Sequence, residues 1–302
     1  AALYLEKSIN SFSSSTSTTD LNLLKAEIAN ISIFKGDYSK AEEISKSILT
    51  QENSSNTAQI LAYQNLSTIS DLRDKNFEEA LRNGNQAFMM SSDVFNNEHG
   101  STTEFISKSL WKSHLPVAQY RKSHKILSRL QAKYGTLDSA VFYLKKALDL
   151  SKTQTKPDAN DIAFDQLDLA NLYLRFTQMP QAKAYLLSTK RIIEILPLVT
   201  QDEYDVRAFY YSQNALYYRN LARFDSSVVF NEREKEIRLE APYLDSAAYA
   251  SVLSNLAVAH YNMRNLETSL AFEKNAYEIK KMVLDADDDR MAQSYKMLGT
   301  HL

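Results

Sequence analysis

NLAVAHYNMRNLETSLAFEKNAYEIKKMVL, residues 255–284, writes two helical patterns separated by a short polar break. Ala257 sits inside the first pattern and Ser269 opens the second. Two antiparallel helices approach closely only where a small side chain stands at their crossing. A small residue on each side of the break therefore predicts a helical hairpin with its crossing at Ala257 and Ser269.

Working outward, the same arrangement recurs. Small residues in one helical context stand at Ala29, Ser128, Ala170, Ala215, Ala257 and Gly299. A second series follows just past each break, at Ala41, Ala80, Ala140, Ala182, Ser227 and Ser269. Its successive spacings are 39, 60, 42, 45 and 42 residues, so four of the five lie near one period. The breaks share a polar or glycine position followed by an aromatic residue or Leu: GDYSKA at 36–41, DKNFEEA at 74–80, GTLDSA at 135–140, ARFDSS at 222–227 and RNLETS at 264–269. Larger apolar residues flank the small ones, as Leu169, Tyr173, Tyr185 and Leu186 do in one unit. A single hairpin of this kind cannot bury its faces alone, so the pattern requires stacked neighbours.

The stretches GDYSKAEEISKSIL, YGTLDSAVFYLKKALDL and LANLYLRFTQMPQAKAYL resemble the tetratricopeptide repeat (TPR) family. The period exceeds the usual TPR period of about 34 residues. With VLDADDDRMAQSYKMLG at 283–299, it looks more like the long-helix repeats of kinesin light chains and bacterial TPR signalling proteins. The resemblance implies an all-α, right-handed α-solenoid of stacked antiparallel helix pairs. The expected units are 21–50, 57–92, 117–152, 160–196, 203–240 and 246–284, in one array over 1–302. Partial repeats are expected at 1–10 and 290–302, which would leave apolar faces needing cover and suggests a piece of a longer protein. Residues 93–116 read as an insertion: a polar loop at 93–101, then a helix over Thr102–His114 carrying Trp111, with Pro116 opening the next helix. SFSSSTSTTD at 11–20 reads as a polar loop ending in an N-cap, Asp20.

Composition agrees with an all-helical chain. Only 5 Gly and 5 Pro occur in 302 residues, too few for the turns of a β-sandwich or an α/β enzyme of this size. The sequence is 44% hydrophobic and 24% charged, enough apolar material for a large core. Its net charge of −2 argues against a nucleic-acid binder. No run of 18 apolar residues suggests a membrane span, and the charged AALYLEKSIN does not read as a signal peptide. The expected protein is soluble, in cytoplasm or periplasm.

No catalytic constellation emerges. There is no cysteine, no Gly-x-Ser-x-Gly, no Walker motif and no close histidine pair among His99, His114, His124, His260 and His301. Asp285, Asp287 and Asp289 match the first ligands of a calcium loop, but Arg290 and Lys296 stand where that loop needs Gly and Glu. The acidic run reads as an inter-repeat loop. The aromatic stretch AFYYSQNALYYRN at 208–220 reads as inter-repeat packing. No enzyme activity, metal or cofactor is expected.

In a TPR solenoid the first helix of each hairpin lines a concave groove. Positions two before, one after, and four or five after the small residue share one helical stripe. The third unit supplies Lys122, Lys125, Arg129 and Lys133. The fourth supplies Asp168, Asn171 and Arg175, the fifth Gln213, Arg219 and Asn220, and the sixth Asn255 and Asn262. Asn65 joins them if the second unit's break is one residue longer. The amides suit the backbone of an extended peptide, a part the resemblance gives to groove asparagines, and the cations suit an acidic group. The expected function is a non-catalytic module binding a peptide or partner protein, or another domain of the same chain. The alternative is a sensory arm of a bacterial signalling protein fused to a protease, histidine kinase or DNA-binding domain.

Overall fold

The computed structural model describes residues 18–97, 116–154, 156–284 and 288–300. Among them are thirteen helices and no strand. They divide between two compact units, 1–150 and 151–302. The first holds α1 (Thr18–Phe34), α2 (Tyr38–Leu49), α3 (Asn56–Leu72), α4 (Phe77–Asn97), α5 (Pro116–Tyr134) and nearly all of α6 (Leu137–Lys152). The second holds α7 (Ala159–Arg175), α8 (Met179–Ile193), α9 (Gln201–Asn220), α10 (Phe224–Glu240), α11 (Ser246–Asn262), α12 (Leu266–Val283) and α13 (Asp289–Gly299). Consecutive helices pair as hairpins, and each hairpin packs on the next within its unit.

The small residues lie where the hairpin argument requires, except Gly299, which is exposed with no neighbour against it among the described residues. Ala29, Ser128, Ala170, Ala215 and Ala257 are buried, and so are all six members of the second series. At three crossings a serine hydroxyl reaches the other helix. Ser128 Oγ donates to Ala140 O (2.7 Å) and Ser269 Oγ to Ala257 O (2.8 Å). Ser67 Oγ donates to Ala80 O (2.7 Å), which identifies Ser67 as the crossing residue of the second hairpin. The close approach thus fills the space left by a missing side chain and satisfies a carbonyl that an intrahelical bond already shares.

Helix starts are set by side chains that accept from orphan amides. Asp37, Ser55, Asp158 and Asp245 cap α2, α3, α7 and α11, and Thr200 with Glu203 closes a capping box on α9. Five of the first helices end in a left-handed residue whose neighbours return amides to the last turn. Gly36 (φ 83°) is one; Thr177 (56°), Ala222 (54°) and Arg264 (65°) are others. The next amides close the turn: Asp37 N to Ser32 O, Gln178 N to Tyr173 O, Arg223 N to Tyr218 O and Asn265 N to His260 O, all 2.8–2.9 Å. Lys75 (φ 52°) ends α3 the same way, except that Asn76 N reaches Ser70 O, one residue farther back. That is the longer break of the second unit. Four of these five turns carry a non-glycine residue in a conformation costing about 1 kcal/mol or more, so hairpin packing must override it. This is how a chain with so little glycine turns so often.

Each unit has its own core. In the second, Leu167, Ala170, Leu186, Ile193, Val206 and Tyr210 cluster, with Phe209, Tyr211 and Tyr217 packed around them. Tyr173 stacks on Tyr185 (5.9 Å) and Tyr218 on Phe230 (5.2 Å), so the dense aromatic stretch serves packing. Some junctions between hairpins are polar instead. Gln64 Nε2 donates to Gln119 O and Ser123 Oγ, and Ser91 Oγ to Ser123 Oγ. At the far end, the buried Lys280 ammonium donates to Ser254 Oγ (2.8 Å) on α11 and Ser294 Oγ (2.9 Å) on α13.

Three expectations need correction or lie out of reach. Asp20 lies inside α1, which already runs at Thr18, and not ahead of its first turn. The polar segment expected from 93 is helical to Asn97, because α4 continues through it. The expected helices over 1–10 and Thr102–His114, with Trp111, lie outside the described residues, as do Asp285 and Asp287.

Candidate functional site

The first helices of successive hairpins stand side by side within each unit, α1 beside α3 and α3 beside α5, and α7 beside α9. Several residues of the stripe chosen from the sequence bond across such neighbours.

In the second unit the amides form rungs between helices. Asn171 Nδ2 on α7 donates to Gln213 Oε1 on α9 (2.8 Å). Asn220 Nδ2 on α9 donates to Leu174 O on α7 (3.0 Å). Arg219 Nη1 on α9 reaches Asn255 Oδ1 on α11 at 3.4 Å. Asn262 bonds back to Val258 O of its own helix, Asp168 is half-buried, and Arg175 is exposed at the end of α7. Each amide keeps hydrogen-bonding capacity beyond the single bond described.

Arg219 is the unusual member. It is half-buried, and burial pushes its guanidinium down from the ordinary arginine range. Among the described residues no carboxylate pairs with it. Buried charges are normally paired, because removing an ion from water is costly.

The first unit is built differently. Arg129 and Lys133 on α5 converge on one carboxylate, Asp71 of α3, which is only 2% exposed. Lys133 Nζ donates to Asp71 Oδ1 (2.7 Å) and the Asp71 carbonyl (3.3 Å). Arg129 Nε lies 3.4 Å from Asp71 Oδ2, its Nη2 donates to Thr68 Oγ1 (3.3 Å), and Tyr134 Oη donates to Asp71 Oδ1 (3.2 Å). Burial pulls Lys133 down, yet the bonds to Asp71 and Tyr134 carry its ammonium above the usual lysine range. Burial lowers Arg129, with Asp71 opposing. Lys122 is half-buried and also lowered by burial, with the charge of Glu27 opposing, while Lys125 is half-buried on the same helix. Asn65 does not join this face: it is buried and donates to Ala26 O (3.0 Å), holding α1 against α3.

Asp71, Thr68 and Tyr134 were not singled out by sequence. The signal was there for Asp71, which stands four residues after Ser67, as Arg219 stands four after Ala215. Among the described residues no group of three or more His, Asp or Glu side chains would hold a metal, and no helix is long and apolar enough to cross a membrane.

No protein-family model matches the sequence, and no curated protein matches it significantly. Solved structures do match. The quorum sensor NprR in complex with its cognate peptide NprX superposes with a TM-score of 0.63 over 97% of this chain and 75% of its own, at 13% identity. A tetratricopeptide repeat protein from Parabacteroides merdae gives 0.58 over 99% and 91%, at 11% identity. The chain has a tetratricopeptide-repeat fold. A signal transduction ATPase with a TPR sensor, from Pyrococcus horikoshii, gives 0.58 at 15% identity over 93% of this chain, which spans 38% of that protein. The TPR fold explains why first helices share a face: each hairpin repeats the placement of the one before it.

Proposed function

We propose that the first-helix face of the second unit is a groove that binds an extended peptide or protein segment carrying an acidic group, without catalysis. The observation that supports it is Arg219, a half-buried guanidinium with an amide partner and, among the described residues, no carboxylate. An arginine in that state suits a ligand carboxylate, which its planar donors grip through two parallel bonds. Arg175, exposed on the same face, adds a second positive charge. Asn171, Asn220, Asn255 and Asn262 offer the amide donors and acceptors that fix a peptide backbone, while Gln213, 3% exposed and accepting from Asn171, holds that amide in place. NprR, which shares the fold, is solved with a peptide, and that favours a peptide as the ligand here. Arg129 and Lys133 have no part in this reading, since Asp71 engages both.

A second reading, a sensory arm within a larger signalling protein, is favoured by the TPR sensor of the signal transduction ATPase, of which this chain spans a minor part. The same groove would then serve a segment of that protein.

The test is affinity capture with the chain as bait, identified by mass spectrometry, in parallel with Arg219→Gln. A partner held by the wild type and lost by the variant supports the groove. A partner set unchanged by Arg219→Gln, with the variant folded, refutes it.

A further inference from the structure

The two units place opposite charges at one repeat position. Four residues after the crossing residue, the second hairpin has Asp71 and the fifth has Arg219. In each case the position faces the first helix of the next hairpin. Asp71 meets Arg129 and Lys133 there, whereas Arg219 meets Asn255.

We propose that Asp71 acts as a tethered acidic ligand: its carboxylate fills the cation pair Arg129–Lys133 in cis and closes the first unit's face to acidic ligands. Acid recognition is thereby left to the second unit's face, with Arg219 and Arg175. The geometry is that of a receptor with its ligand in place. Two cations on one helix and a tyrosine hydroxyl converge on a single carboxylate from the neighbouring helix, at 3.4, 2.7 and 3.2 Å. The carboxylate is buried while both cations keep more than a third of their side-chain surface exposed, 38% and 37%. Both cations thus reach solvent along part of their length, although the Arg129 Nε that faces Asp71 is buried. A surface ion pair worth little energetically would not need a third donor or a buried acid. The placement also serves specificity: an internal acid makes a competing external one meet like charge as well as an occupied site.

This inference borrows from the proposed function only the idea that Arg219 takes an acid, and its test separates the two. Formate has the size of the carboxylate that Asp71→Ala removes, since alanine keeps Cβ. In Asp71→Ala, sodium formate is expected to raise the melting temperature relative to sodium chloride at equal ionic strength, saturably. Neither the wild type nor Asp71→Ala/Arg129→Gln should respond. If Asp71→Ala folds only with formate present, that too is the rescue expected. No difference between the two salts, or an equal rise in the double variant, overturns the assignment, as does failure to fold in either salt.

Binding of acetylated, amidated hexaglutamate provides the second arm. Asp71→Ala should gain one hexaglutamate site over the wild type, removed by Arg129→Gln. If the wild type binds one peptide through Arg219 and Asp71→Ala binds no more, the tethered-ligand idea fails and the groove stands. If the wild type binds none and Asp71→Ala binds one, the groove fails and the tethered ligand stands.

Discussion

His124 offers a pH-dependence that can be worked from the structure. It lies on α5, 4% exposed, with its ring 5.0 Å from Phe88, 4.7 Å from Tyr120 and 5.9 Å from Tyr143 between centroids. Its Nδ1 is buried with no hydrogen-bond partner among the described residues. Burial, with a smaller contribution from the nearby Lys146 charge, pushes it from 6.5 down to about 4. The unfolded chain therefore takes up the proton near pH 6.5, and the folded chain resists until about pH 4. Stability from this group is whole above pH 6.5 and drains away as pH falls toward 4, because the unfolded state binds more protons across that window. At about 1.4 kcal/mol per pH unit, the total comes to about 3 kcal/mol. Carboxylates titrate in the same range, so the assay is a difference. Urea unfolding of wild type and His124→Phe is followed from pH 7.5 to 4, and their stability gap should shift by about that amount in favour of the variant. Proton NMR of the imidazole gives the folded value directly. Parallel stability curves, or an imidazole titrating near 6.5 in the folded protein, would refute the reasoning.

Other outcomes follow from the same contacts. Thr177→Gly should stabilise the second unit by about 1 kcal/mol in urea titration, since a β-branched residue at φ 56° is relieved. Gly36→Ala should cost about as much for the opposite reason. Ala170→Leu should destabilise by about 1–3 kcal/mol through overpacking at a crossing with no spare volume. Lys280→Ala should cost about 3 kcal/mol, leaving buried Glu273 without its compensating charge, and hydrogen exchange should show α13 losing protection first.

How much was legible in the sequence depended on whether a feature repeats. Ala170 with Ala182 and Ala257 with Ser269 could be read because each pair obeys the common spacing, and all four are buried. Ser67 escaped because its break is one residue longer, and with it went Asp71, the acid at the matching repeat position. The bond from Lys133 to Asp71 joins residues 62 apart in the irregular part of the array, where no period guides the pairing. Asn65 was aligned with the groove on helical phase alone, and phase does not reveal that α1 lies close enough to claim its amide. The left-handed turns at Lys75, Thr177, Ala222 and Arg264 carry no glycine mark, since tertiary packing rather than local preference holds them.

The central claim, acid recognition by Arg219, is tested most directly by selecting a randomised peptide-display library on the intact chain and on Arg219→Gln. The expected result is a wild-type consensus with Asp or Glu fixed at one position, absent from the variant's selection while both proteins melt alike. No enrichment of acidic residues on the wild type, or the same consensus on both, would contradict it.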